Sequence, residues 1–137
     1  MTELVLDCSV TMAWLFQDEA TDYSESALKA LEDGSVARVP TLWPLEVSNV
    51  LLVGECRRRI SAVQTNGLLE VLRGFDIQVD GETTVQSSGA TLHLARHHGL
   101  SVYDAAYLEL ALRRGGRFAT LNKKLRAAAK ASGASLW

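Results

Sequence analysis

Short apolar runs alternate with stretches of helical periodicity along the chain, and this alternation sets the predicted elements. Leu4-Val5-Leu6 is apolar throughout and ends in the carboxylate of Asp7, the pattern of a strand buried on both faces, so residues 4–7 are read as the first strand. Two helical stretches follow at residues 11–16 and 21–32, and an Asp33-Gly34 turn leads into a second strand, residues 36–39, stopped by Pro40. Pro44 stands near the first turn of a long helix, where its missing amide proton costs nothing. That helix turns Val47, Val50, Leu51 and Leu52 inward and ends around Arg59. Residues 61–73 form a further helix with Val63, Leu68, Leu69 and Leu72 as its apolar positions, and residues 75–79 alternate as a strand. Residues 83–98 read as a helix closed by Gly99 as its C-terminal cap. From Tyr103 the positions Tyr103, Ala106, Tyr107, Leu110 and Ala111 make the clearest helical stripe, ended by Gly115-Gly116. A strand at 117–120, a helix at 123–131 and a short closing strand at 135–137 complete the series.

Strands alternating with helices imply an α/β fold in three layers: a central, mostly parallel sheet of about five short strands with helices on both faces. The 137 residues, 47% hydrophobic and 22% charged, suit one domain spanning residues 1–137. Ligands on such sheets bind beyond the carboxyl ends of the strands. The residues following the strands there are Asp7, Glu46, Asp104 and Asn122.

The longest stretch free of Asp, Glu, Lys and Arg is residues 83–95, short of the roughly 20 needed to cross a bilayer. Glu3 and Asp7 stand where a secretory signal needs basic and then apolar residues, so a cytoplasmic location is expected. Cys8 and Cys56 are the two thiols, and reduced cysteines fit better than a disulfide framework. The net charge of −2 hides a polarity: residues 1–33 hold eight acids against Lys29, whereas residues 113–137 hold seven bases and no acid. Arg113, Arg114, Arg117, Lys123, Lys124, Arg126 and Lys130 suit either a solvated helix face or a polyanion such as nucleic acid. Arg57, Arg58 and Arg59 offer the same choice, with the negative pole of a helix dipole as a sufficient structural reason.

Each acid also has a structural explanation. Asp7 suits a helix cap, Glu46 suits a first helical turn, and Ser101-x-x-Asp104 matches a capping box. Gathered at one edge of one sheet, however, three like charges repel and call for a cation. Oxygen ligands of this kind suit Mg²⁺ or Mn²⁺, and such an ion supports hydrolysis of a phosphodiester.

The segments VLDCSV, PLEVSNVL, LSVYDAAYLELA and FATLNKKL occur in this order and span nearly the whole chain. Through them the chain resembles the PIN-domain ribonucleases, specifically the VapC-like toxins of type II toxin–antitoxin (VapBC) systems. The resemblance implies that Asp7, Glu46 and Asp104 are catalytic and metal-binding, with Ser9, Asn49 and Thr120 as supporting residues. It further implies cleavage of structured RNA such as tRNA or rRNA, a cognate VapB-like antitoxin, a homodimer and a prokaryotic cytoplasm. Arg113, Arg114, Arg117, Lys123, Lys124 and Arg126 are the expected RNA-backbone contacts. One departure stands out: many relatives carry a further Asp where this chain has Asn122, so one well-held ion is expected and a second is weakened. Asn122 also suits a helix cap.

Other features point elsewhere. Glu109 has Arg113 as an i+4 ion-pair partner. His93 and His97 lack the glutamate of an HExxH zinc motif. Cys8 reads as a packed thiol, and Trp14, Trp43 and Trp137 as packing residues, with Trp14 and Phe16 also eligible as interface anchors. An aspartate-nucleophile phosphatase is the rival enzyme reading, with Ser9 replacing its second Asp. A non-catalytic RNA- or protein-binding module is the third.

Overall fold

The computed structural model describes residues 3–137. Strand β1 (Glu3–Leu6) lies inside a parallel sheet of order β3-β2-β1-β4, paired with β2 (Val36–Val39) on one side and β4 (Arg117–Ala119) on the other. Strand β3 (Ile77–Val79) forms the far edge. Burial on both faces explains the uninterrupted apolar run: Leu4, Val5 and Leu6 have no exposed surface. The sheet has four strands rather than about five. Residues 135–137 supply only one bridge, Leu136 to Phe118, because a single residue comes into register there.

The helices are α1 (Cys8–Leu15), α2 (Asp22–Glu32), α3 (Trp43–Cys56), α4 (Ala62–Arg73), α5 (Thr83–Gln86), α6 (Leu92–His98), α7 (Val102–Arg114) and α8 (Lys123–Ala131). Helix α7 packs against β1, β4, α6 and α8, and every residue from Ala105 to Ala111 is buried. That burial fixes the start of α7 at the carboxyl edge of the sheet. Gly99 (φ 64°) and Gly115 (φ 73°) end α6 and α7 in the left-handed conformation that a side chain resists.

Several boundaries move. Helix α1 begins at Cys8, ahead of the predicted start at residue 11, because Asp7 already occupies its N-cap position. The helix predicted over 83–98 is broken: a π-helical turn, Ser87–Thr91, separates α5 from α6, and Gly89 departs from helical geometry at φ −113°, ψ −106°. Leu52 faces outward, since the buried row of α3 runs Trp43, Val47, Leu51 and Gly54. Val63 and Tyr103 are likewise exposed, and α4 buries only Leu72 completely.

Helix α3 stops at Cys56 rather than near Arg59. The N–H of Arg59 bonds to the carbonyl of Gly54 at 2.8 Å, and that of Arg58 to the carbonyl of Glu55 at 3.0 Å. This two-bond ending places Arg58 at φ 58°, where glycine is the usual occupant. A Cβ there costs about 1 kcal/mol, so Arg58→Gly is expected to raise stability by about 0.5–1 kcal/mol. Urea unfolding checks this, and a lowered midpoint would contradict the geometry.

Candidate active site

The sheet order reverses at β1, whose neighbours β2 and β4 lie on opposite sides, and the crevice beyond the carboxyl ends of β1 and β4 is the usual ligand position. Asp7 leaves β1 there. It does not cap α1 with its side chain. Instead its Oδ2 accepts hydrogen bonds from Ser9 Oγ at 2.6 Å and Thr120 Oγ1 at 2.8 Å. Both hydroxyls are themselves fixed, for the N–H of Leu121 donates to Ser9 Oγ and that of Asn122 to Thr120 Oγ1. The loop after β4 therefore pins the carboxylate that follows β1.

Glu46 lies in the first turn of α3, where the helix dipole favours a negative charge. Its Oε1 accepts a 2.6 Å hydrogen bond from the Tyr107 hydroxyl, which reaches it from α7. The sequence reading placed Tyr107 in an apolar stripe. Its signal was the hydroxyl itself, since a buried tyrosine O–H normally finds a partner. Asp104 stands one turn earlier on α7. The backbone N–H of Asp104 is capped by Ser101 Oγ at 3.1 Å, without the reciprocal half of a capping box. Its carboxylate therefore plays no capping role.

Asp7, Glu46 and Asp104 line one depression of about 240 Å³ together with Ser9, Asn49 and Asn122. None of the ion pairs found among the described residues involves any of the three acids. Burial pushes the Asp7 carboxyl above its ordinary range, and the charge of Asp104 adds to this against the pull of Ser9 and Thr120. Burial also raises Glu46, aided by Asp7 and Asp104 and opposed by Tyr107. The Cys8 thiol is pushed up to about 12 by burial and by Glu46 and Asp7, so it is a packed, protonated group rather than a nucleophile.

Among the described residues, no three His, Cys, Asp or Glu side chains close tightly enough to enclose an ion by themselves. The acids share a basin and sense one another's charge without forming a ready cage. This donor set fits a hard, hydrated cation that retains waters between itself and one or two carboxylates. Asn122 lines the same depression, but its Oδ1 accepts from the N–H of Leu125 at 3.1 Å and caps α8.

The expected basic contacts divide. Arg113 is occupied by Asp80 (2.6 Å), Glu109 (2.8 Å) and Glu82 (3.0 Å), away from the acidic basin. Arg114 pairs with Glu3 at the start of β1, and Arg117 opens β4 with its guanidinium over Trp137, so both lie at the opposite edge of the sheet. Lys123, Lys124 and Arg126 follow Asn122 on α8 without lining the basin themselves; Lys124 Nζ lies beside Gly99 at the end of α6, and Arg126 donates to the Tyr23 hydroxyl at 3.2 Å. Trp14 and Trp43 are buried, as packing residues should be, and Trp137 is half-buried; Phe16 is buried as well, so neither Trp14 nor Phe16 stands exposed as an interface anchor.

Comparison with known proteins follows the same lines. Ribonuclease VapC3 of Pyrobaculum aerophilum is 30% identical over 123 residues, covering 90% of this chain and 92% of that protein. The crystal structure of PAE2754, also from Pyrobaculum aerophilum, matches with a TM-score of 0.64 over 94% of this chain and 86% of the other. At 21% identity that likeness is one of fold. A family model described as the PIN domain matches residues 4–131, and the chain belongs to the PIN-domain family.

Proposed function

We propose that the protein is a VapC-like endoribonuclease that hydrolyses RNA phosphodiester bonds with Mg²⁺ or Mn²⁺ held by Asp7, Glu46 and Asp104. The observation that carries this reading is the basin itself: three carboxylates from three separate elements, without a basic partner, beyond the carboxyl edge of β1. Membership of the PIN family and likeness to a protein named as a ribonuclease support it. A bound divalent ion supplies neutralising charge for the phosphodiester and a more acidic water.

The chain's own residues set the stage for that chemistry. Ser9 and Thr120 hold Asp7 in place, and Tyr107 holds Glu46. Asp104 has no side-chain partner among the hydrogen bonds described, which leaves its Oδ atoms open to the ion. Asn122, with Oδ1 committed to α8, presents its amide N–H groups to a substrate oxygen. Lys123 and Lys124 stand in the first turn of α8, where their own helix's dipole opposes positive charge; Lys124 Nζ turns to Gly99 at the C-terminal end of α6, whose dipole favours it, and a phosphate backbone would account for Lys123. The same reading takes structured RNA such as tRNA or rRNA as substrate, a VapB-like antitoxin as partner, a homodimer as the assembly and the prokaryotic cytoplasm as the location. Among the described residues no helix is long and apolar enough to cross a membrane.

Three outcomes are expected. Asp7→Asn should abolish Mn²⁺-dependent RNA cleavage by more than about 100-fold, beyond the loss typical of an outer-shell partner. RNA cut equally well by the variant, or in excess chelator, would defeat the assignment.

In chelator the same variant should melt higher than the parent, because a repelling, desolvated charge has been removed. The folded state holds the protons of Asp7 and Glu46 more tightly than the unfolded chain, so their contribution is most favourable below the ordinary carboxylate range and is lost as pH rises through the raised values. The melting advantage of Asp7→Asn should therefore widen between about pH 4 and pH 7.5. Thermal scans across pH measure it, and a constant gap would contradict the raised carboxyl.

Asn122→Asp keeps the α8 cap and adds a fourth carboxylate to the basin. It should tighten Mn²⁺ binding about tenfold, read by calorimetric titration. Unchanged affinity would show that position 122 does not reach the ion.

A further inference from the structure

Next to the acidic basin lies a more enclosed cavity of about 170 Å³ bounded by α1 and α3. The two are contiguous, since Met12, Asn49 and Val50 line both. Val53 and the ring of Phe16 complete an apolar wall. Phe16 approaches α3 closely because residue 54 is glycine: a Cβ there would stand 3.1 Å from Phe16 Cζ. Arg59 lies over the same ring at 4.1 Å, its charge met by Asp18 and Glu19. Arg57 at the rim, and Arg58 beside it, make no ion pair among the described residues.

We infer that this cavity is a subsite for one unpaired RNA base adjoining the phosphodiester held at the acids, an assignment that rests on the ribonuclease reading. Size comes first. An apolar cavity of about 150 Å³ takes a benzene-sized ring, so this space suits one planar base and excludes a whole nucleotide. Chemistry agrees with size. Apolar walls cover the faces of a base, while the Asn49 amide at the shared mouth carries both donors and an acceptor for its edge, the manner in which single-stranded RNA is read. Charge agrees as well. Arg57 and Arg58 follow the C-terminal end of α3, where the dipole favours a cation, and with no acid paired to them their guanidinium groups are open to a continuing sugar–phosphate chain. Arg58 stands at a left-handed position that glycine would occupy with less strain. An aliphatic side chain from a protein partner would match the walls but leave the amide and both arginines without a counterpart.

The test measures binding in chelator, separately from cleavage. Fluorescent homopolymers of A, C, G and U are compared with an abasic ribose–phosphate oligomer of equal length by anisotropy. The parent should bind at least one base-bearing oligomer about tenfold tighter than the abasic one. Val53→Trp, a change at the partly exposed lip of the cavity, should erase that preference while retaining the parent's circular dichroism and Mn²⁺ affinity. Arg57→Ala, at an exposed position, should weaken all oligomers alike and lower the salt slope by about one phosphate contact. Equal affinity for every oligomer, or a preference that survives Val53→Trp, would overturn the subsite and leave the cavity to a protein segment. Mn²⁺-dependent cleavage lost in Asp7→Asn but unaffected by the cavity would then preserve the ribonuclease reading alone. A base preference erased by Val53→Trp in a protein that cuts no RNA would preserve the subsite and remove the nuclease.

Discussion

Asp7, Glu46 and Asp104 repel one another, and the rest of the molecule keeps them in one basin without neutralising any of them. The restraint comes from packing at a distance. Buried β1 fixes where Asp7 emerges, buried α7 fixes Asp104 and carries Tyr107 to Glu46, and the first turn of α3 holds Glu46 where its dipole is favourable. A charged cluster of this kind is held against its own electrostatics by apolar burial elsewhere, the pattern expected where strain serves a site rather than the fold.

Cations are distributed accordingly. Arg113 ties the end of β3 and the start of α5 to α7 through Asp80, Glu82 and Glu109. Burial alone would lift the Asp80 carboxyl, yet Arg113 outweighs it and holds that group below its ordinary range. Arg114 and Arg59 are similarly matched with acids of their own surroundings. The arginines serving structure are thus kept off the lining of the basin, and Lys123, Lys124, Arg57 and Arg58 are among the cations that no acid pairs with among the described residues. Linear charge density along the chain does not distinguish these roles, because pairing depends on residues as distant as Glu3 and Arg114.

The same contrast separates what is legible in the sequence from what is not. Buried strands announce themselves by composition, so β1 and β2 were located to within a residue, and the order of elements led to the parallel sheet and to the edge where the acids gather. Helix ends and kinks were harder. Asp7 suits a cap by sequence and is a cap position, but its side chain answers Ser9 and Thr120 instead, the second of these 113 residues away. The π turn at Gly89 left no mark in the hydrophobic period, and Leu52 looked internal because an apolar residue beside a buried row cannot be told from a member of it. Tyr107 was visible as an amphipathic side chain whose partner only the fold could name.

Because Thr120 reaches Asp7 across the β1–β4 pairing, the hydroxyl support of that carboxylate is also a report on whether the two distant parts of the polypeptide have come together. Such a pairing closes a very long loop and is costly to form early in folding. A chain in which β4 has not yet docked, or has peeled away, loses the anchor at once, so the carboxylate is held in place only in a fully assembled molecule.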